Sequence, residues 1–290
     1  MSFHFIILQN CQSLFSMKNA LLLSLLILLS IAGVGSDLKI MTWNIRYNNP
    51  GDGVNAWPNR KERVFALIRD VSPAIFCMQE ALDDQVNDLA IALPGYTWVG
   101  AGRDDGGKKG EYVPVFYQKD KFKLVKTGNF WLSETPEIPG KLGWDAVCPR
   151  MVTWIALVDK SKDTLYVMNT HFDHMGVTAR IMSAKLLVHA ADSIAGSHSI
   201  IITGDFNATP SDTPYPIITG DGFKDSRMVS AAAPKGPEYT FTGFSTSGKP
   251  GNRIDFIYVR KTKPVKSYLV REDSFNGNYL SDHLPVIVGF

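Results

Sequence analysis

The chain is short of cysteine, of net charge and of long apolar runs. Its 290 residues hold three cysteines, Cys11, Cys77 and Cys148, with no CxxC pair among them. That excludes a disulfide scaffold and offers no zinc-site spacing. Cys77 lies in the apolar run 74–78 and reads as a core thiol. A Cys77–Cys148 bond is the alternative outside the cytoplasm; two free thiols are the expectation. Thirty Lys and Arg against 28 Asp and Glu leave a formal charge of +2. A protein that lives by non-specific duplex binding carries a clearly basic face, and the overall balance shows no such excess. There is no internal repeat, low-complexity linker or composition break.

One stretch, 20–32, is almost wholly apolar, with Lys18 before it and Gly33-Val34-Gly35-Ser36 after it. This is the n-region, h-region and small-residue cleavage site of a secretory signal peptide. The run is too short for a transmembrane anchor and lacks a basic stop-transfer flank. The expected division is therefore 1–36 as signal peptide, with 1–16 as a mis-called extension if Met17 is the true start, and 37–290 as one domain. No cysteine follows the h-region, so a lipid anchor is not expected. A periplasmic or secreted monomer without a membrane anchor is the expectation.

What the chain does have is an alternation of apolar runs and helical spacing. Strands are expected at 38–43, 74–78, 97–100, 113–117, 122–125, 151–158, 165–169, 199–203, 254–259, 265–270 and 285–289. Helices are expected at 59–69, 83–93 and about 177–194. Residues 129–150, rich in Trp and Pro, have no clean period and read as an ordered surface excursion. The loop 103–110 reads as flexible and charged. Strands outnumber helices, yet helices are interleaved. The pattern predicts an α/β fold with two sheets packed together and helices outside.

Polar residues gather at the strand ends. Asn44 closes the first strand and Glu80 follows the second; His171 follows the strand at 165–169. Asp205 and Asn207 end the triple-isoleucine strand at i, i+2, a spacing that puts both on one face if the chain stays extended. Asp255 and the pair Asp282-His283 flank the last strands. Each has an ordinary reading alone: a helix cap for Glu80, a core histidine for His171, a partner of Arg253 for Asp255. Together they supply hard oxygen ligands suited to Mg²⁺, Mn²⁺ or Ca²⁺, and histidines suited to proton transfer. That set suits phosphoester hydrolysis.

The motifs Trp43-Asn44-Ile45, Gln79-Glu80, Asn169-Thr170-His171, Gly204-Asp205-Phe206-Asn207, Arg253-Ile254-Asp255 and Ser281-Asp282-His283 stand in the order of the endonuclease/exonuclease/phosphatase superfamily, which the chain resembles over 38–290. The resemblance implies a deoxyribonuclease I-like fold: a four-layer sandwich of two packed mixed β-sheets flanked by helices. It implies a Mg²⁺- or Mn²⁺-dependent phosphoric ester hydrolase. It assigns the metal to Glu80, Asn44 and Asp282. Asp205 and Asn207 would orient the attacking water, bind the scissile phosphate or hold a second metal. His283, oriented by Asp255, would bind a phosphate oxygen or act as acid/base. His171 would serve the leaving group. Arg150 resembles a phosphate-contacting arginine, with a surface salt bridge as its alternative. The choice of general base between Asp205 and His283 is left open by these residues.

Substrate is not fixed by the motifs. Trp57, Arg60, Tyr112, Trp131, Trp144 and Phe172-Asp173-His174 could form an aromatic and polar rim, or could pin long loops to the core. The candidate substrates are a nucleic acid, a phosphosugar or a lipid headgroup. No membrane-inserting hairpin is visible, which places sphingomyelin low. A nuclease is the narrower alternative. A non-catalytic binding protein would show losses at the metal or histidine positions, and none is lost.

Overall fold

A computed structural model of the chain describes residues 38–290, except 248–250. The expected signal peptide, 1–36, lies outside the described residues. No helix among the described residues is long and apolar enough to cross a membrane.

In chain order the strands are β1 (Lys39–Asn44), β2 (Ile75–Gln79), β3 (Tyr96–Val99), β4 (Val115–Gln118), β5 (Phe122–Trp131), β6 (Met151–Asp159), β7 (Thr164–His171) and β8 (Ser199–Asp205). They continue with β9 (Lys224–Asp225), β10 (Asp255–Arg260), β11 (Ser267–Val270), β12 (Ser274–Phe275), β13 (Asn278–Tyr279) and β14 (Val286–Gly289). The helices are α1 (Trp57–Val71), α2 (Asp83–Ala92), α3 (Val177–Ala195) and α4 (Pro214–Gly220). One sheet runs β11-β14-β1-β2-β4-β3 and the other β5-β6-β7-β8-β10-β9, with β12-β13 a separate hairpin. Both large sheets mix parallel and antiparallel pairs.

Local chemistry sets the elements. Helix α1 starts with Pro58 in its first turn, where no backbone donor is needed, and stops at left-handed Ser72 before Pro73. Its buried stripe of Val64, Phe65, Leu67 and Ile68 lies against the first sheet. Helix α2 begins with Asp83 and Asp84 at its positive end, and Gln85 reaches back to the Leu82 N–H. Strand β8 is buried on both faces: Ile200 and Ile202 pack on the α3 side, and Ile201 packs between the sheets. Each of these isoleucines stabilises the fold by roughly 2 kcal/mol. Helix, sheet, sheet and helix thus form four layers around three apolar seams.

Most boundaries shift by one or two residues, β9, β12 and β13 are additional, and two stretches depart further. Strand β5 extends to Trp131, so the first residues of the expected surface excursion complete a ladder with β6. Loop 103–110 is a closed turn: Arg103 N–H donates to Glu111 O, and Asp104 N–H to Lys109 O. Alternation is weak in both stretches; β5 takes its order from pairing with β6, and the loop from hydrogen bonds between its own ends. Cys77 is a buried core residue, and both Cys77 and Cys148 are free thiols.

A polar network joins the sheets behind the strand ends. Gln79 Nε2 on β2 donates to Asn169 Oδ1 on β7 at 2.6 Å and to Thr42 Oγ1 on β1 at 3.0 Å. Asn169 Nδ2 donates to the carbonyls of Met78 and Pro114, and Thr203 Oγ1 donates to Asn169 Oδ1. All four side chains are fully buried. Replacing Asn169 with alanine removes its bonds to the Gln79 amide and to the Met78 and Pro114 carbonyls, leaving Gln79 Nε2 only its Thr42 contact. The expected loss is about 3 kcal/mol of unfolding free energy, read from the midpoint of urea denaturation. An unchanged midpoint would show that the network does not carry the sheet-to-sheet contact.

Candidate active site

Register alone lines up three of the expected residues. Strand β7 runs parallel to β8 with His171 opposite Asp205, and β10 runs antiparallel with Asp255 opposite Asp205. A buried row His171–Asp205–Asp255 therefore sits at one end of the second sheet. Gly204 permits it, because a Cβ there would collide with the Thr170 carbonyl oxygen. The chain does not stay extended after Asp205. Asn207 has φ 45°, and its N–H donates to Asp205 Oδ1 at 2.9 Å. The same-face geometry expected from i, i+2 spacing is thus replaced by a turn closed by Asp205 itself.

The first sheet supplies the other half. Asn44 ends β1 opposite Gln79, and Glu80 follows with φ 63°. Asn44 Nδ2 donates to Glu80 Oε1 and to Asp205 Oδ2, both at 3.0 Å. Its Oδ1 accepts from Arg46 N–H, which fixes the amide orientation. Asn44 is therefore a bridge between carboxylates from different sheets. Ser281 Oγ donates to Asn44 O and to Asp282 Oδ1, which ties the loop before β14 to β1.

His283 Nδ1 lies 2.8 Å from Asp255 Oδ2, and its Nε2 lies 3.6 Å from Asp205 Oδ2. Asp255 does not pair with Arg253, which binds Asp225 at 2.7 Å instead. Burial pushes the His283 imidazole down, but Asp255 and Asp205 outweigh it and hold it well above the usual histidine range. Burial first, then Asp255, pushes Asp205 up to about 7. His171 goes the other way. Burial, followed by Arg150 and Arg103, holds it well below the usual range, hence neutral. Asn207 Nδ2 sits 3.1 Å from His171 Nε2 and donates to Phe172 O. With Nε2 accepting, the ring proton is on Nδ1.

Arg46 lies between the remaining acids, with Nη1 3.9 Å from Glu80 Oε2 and Nε 4.0 Å from Asp282 Oδ2. Burial, with Glu80 among the neighbours that add to it, raises the Asp282 carboxyl. The half-buried Glu80 and buried Asp282 carboxylates are hard oxygen donors that fit a divalent cation, while the Asn44 oxygen is engaged by the Arg46 N–H and its nitrogen holds Glu80. The cluster Asp205, Asp255 and His283 also brings three ligand atoms within 4.8 Å. There, however, the 2.8 Å Asp255–His283 bond already commits two of the three groups to each other.

Two site residues carried no motif signal: Arg46, and Glu111, whose Oε2 lies 3.8 Å from His171 Nδ1. Only a positive φ next to a strand end, or a carboxylate forced inward by a closed turn, marks them, and neither is visible in composition. The expected rim is mostly interior. Trp57, Tyr112, Trp131 and Phe172 are buried, and Arg60 donates to the carbonyls of Asn55, Leu280 and Arg46. They pin loops, because their bulk and their N–H groups find partners inside. Trp144 is half-buried and His174 exposed. Arg150 is no surface salt bridge: it is buried, 3.5 Å from Asp173 and 3.0 Å from His174 Nδ1.

Residues 41–283 match the model of the Endonuclease/Exonuclease/phosphatase family. An endonuclease/exonuclease/phosphatase structure from Bacteroides vulgatus is 40% identical, covers 88% of this chain and 98% of its own, and superposes with a TM-score of 0.84. A mannosyl-6-phosphatase from Bacteroides thetaiotaomicron is 34% identical, with 87% and 98% coverage and a TM-score of 0.82. A probable RNA exonuclease of Schizosaccharomyces pombe is 27% identical over 199 residues, which is 63% of this chain and 39% of that protein. Human Nocturnin is 24% identical, with 87% of this chain and 65% of that protein covered.

Proposed function

The chain belongs to the endonuclease/exonuclease/phosphatase family, and from that premise we propose that it is a divalent-metal-dependent phosphoester hydrolase acting on a phosphorylated sugar. The observation that carries the hydrolase reading is the buried row His171–Asp205–Asp255–His283 facing the acidic pair Glu80 and Asp282. The sugar reading is supported by the full-length similarity to a mannosyl-6-phosphatase and by a net charge of only +2. A nuclease is the second reading, favoured by the similarity to a probable RNA exonuclease, although this chain spans 39% of that protein.

Glu80 and Asp282 would hold the cation, with Asn44 fixing the Glu80 carboxylate. When bound, the cation neutralises phosphoryl oxygens and lowers the pKa of water. Against the burial that lowers it, Asp255 and Asp205 hold His283 well above the usual histidine range, which suits it to bind a phosphate oxygen as an imidazolium. That leaves Asp205 as the proton acceptor for the attacking water, at a pKa near the working pH. Asp255 holds the His283 tautomer and charge. Burial keeps His171 neutral, and Asn207 Nδ2 at its Nε2 fixes the ring's orientation.

Purified protein with Mg²⁺ or Mn²⁺ should release phosphate from hexose phosphates faster than it degrades plasmid DNA or RNA. Faster degradation of nucleic acid favours the second reading, and hydrolysis of no phosphoester rejects both. The acids also link metal to protons. Cation binding needs the Asp282 carboxylate ionised, and both Asp282 and Asp205 have raised folded values. Mn²⁺ affinity measured by titration is expected to fall on acidification through the raised Asp282 range, by up to about tenfold per pH unit for each proton displaced. An affinity that does not fall on acidification would contradict it.

Residues 1–36 are proposed as the signal peptide that takes a monomeric enzyme out of the cytoplasm, on the strength of the apolar run 20–32. The exported protein should begin at Asp37 on N-terminal sequencing.

A further inference from the structure

An exposed aromatic stands beside His283. Phe241 is 41% exposed, and its ring packs edge-on against the imidazole with centroids 5.1 Å apart. His283 itself is only 4% exposed. The Phe241 backbone is held from both sides. Its N–H donates to Asn252 O, and Leu284 N–H donates to Thr240 O. The Thr240 hydroxyl accepts from the Ile254 and Asp255 N–H groups. Thr242 and Gly243 N–H both donate to Asp282 O. The segment 240–243 is thus tied to the strand start that carries Asp255 and to the turn that carries Asp282 and His283. Single surface aromatics are common and mean little by themselves. This one is fixed relative to the reacting groups and keeps an open apolar face next to them.

What fits that face is limited. The acids, amides and histidines at the strand ends suit a cation and a phosphate, and they offer little to an apolar surface. A phenyl ring makes no conventional hydrogen bond; its contribution is flat contact with another ring. A phosphate bound at His283 has its organic group one ester oxygen away, within reach of a ring packed directly on the imidazole. We propose that Phe241 is the platform on which the ring of the substrate lies, and that it makes the protein prefer phosphate esters of sugar rings over those of open chains. The proposal rests on the phosphorylated-sugar reading and goes beyond it by assigning a residue that selects the substrate.

The test compares mannose 6-phosphate with glycerol 3-phosphate, a primary phosphate ester that keeps hydroxyls and lacks a ring. Wild type should prefer the sugar. In Phe241→Leu, which keeps apolar cover over His283 and removes the aromatic face, the ratio of kcat/KM for the sugar over the glycerol ester should fall about tenfold, the scale of one lost stacking contact. Phe241→Trp keeps a ring and should hold the ratio within about threefold of wild type. Melting curves report folding, and Phe241→Met serves if Phe241→Leu does not fold. A ratio in Phe241→Leu unchanged within about twofold overturns the proposal and leaves the sugar-phosphate reading standing. An equal fall on both esters with a shifted pH–rate profile also overturns it, and makes Phe241 a positioning residue for His283. A fall confined to p-nitrophenyl phosphate would assign the platform to an aromatic ring and overturn sugar selection. Turnover of none of the three esters by wild type overturns the proposal and the sugar-phosphate reading together.

Discussion

Replacing His283 with alanine is expected to lower kcat by about 10³-fold on any phosphoester that the protein hydrolyses. The ring is held by 2.8 Å contact with Asp255 and faces Asp205 at 3.6 Å. Its backbone is anchored separately, because Trp43 Nε1 donates to His283 O at 2.9 Å. The fold should therefore survive the substitution while the positive charge at the phosphate is lost. Asp205 would also lose a neighbour that pulls its pKa down, so the acid limb of the pH–rate profile should move to higher pH. Asp255→Asn keeps the ring in place but removes the charge behind it, and should cost about 10²-fold or more. The sign of the stability effect is fixed as well. A histidine whose folded value is raised contributes stability that is complete below its unfolded pKa of about 6.5 and is lost as pH rises through the folded value. Wild type should thus exceed His283→Ala in melting temperature most at low pH. Activity of the alanine variant within tenfold of wild type would sink the assignment.

Replacing Glu80 with alanine is expected to weaken Mn²⁺ affinity by about 100-fold or more, with a matching loss of rate at subsaturating metal. Glu80 is placed by the Asn44 amide on one oxygen and the Tyr47 N–H on the other. Glu80→Gln preserves the size but removes the charge and turns one of the two acceptors into a donor, so it should lose metal nearly as badly. The Asp282 carboxyl, relieved of a like-charged neighbour, should then titrate lower than in wild type. Arg46, 3.9 Å from Glu80 and 4.0 Å from Asp282, would keep only the latter of these two ion pairs. Unchanged affinity in both variants would place the cation elsewhere, with the Asp205–Asp255–His283 cluster the next candidate.

Much of the fold could be read from the sequence because its strands are short apolar runs bounded by polar or turn residues. Ser199–Asp205 is the clearest: three isoleucines, then a glycine that no other residue can replace against β7. The expected residues Asn44, Glu80, His171, Asp205, Asn207, Asp255, Asp282 and His283 do converge, because each stands at or next to a strand end. What was not legible depends on partners distant in sequence. Trp57 and Trp131 look like a surface rim in the sequence, but each indole N–H is satisfied, by Asp88 and Arg103 O respectively. Arg46 and Glu111 gain their place only from a left-handed backbone and a closed turn. Gln79 and Asn169 look like motif residues with no stated task; their task is to tie one sheet to the other.

The pairing of β1 with β14 has a consequence for how the molecule comes into being. Asn44 leaves the first strand and Asp282 and His283 precede the last, and the two strands are hydrogen-bonded neighbours from Lys39–Gly289 to Thr42–Val286. Closing that ladder joins residues nearly 250 positions apart, an entropic step that a growing chain cannot take early. A ribosome-bound chain lacking its final segment would hold Glu80 and Asp205 without their partners Asp282 and His283. Pairing of the segment that carries Asp282 and His283 with β1 would then be the event that completes the site.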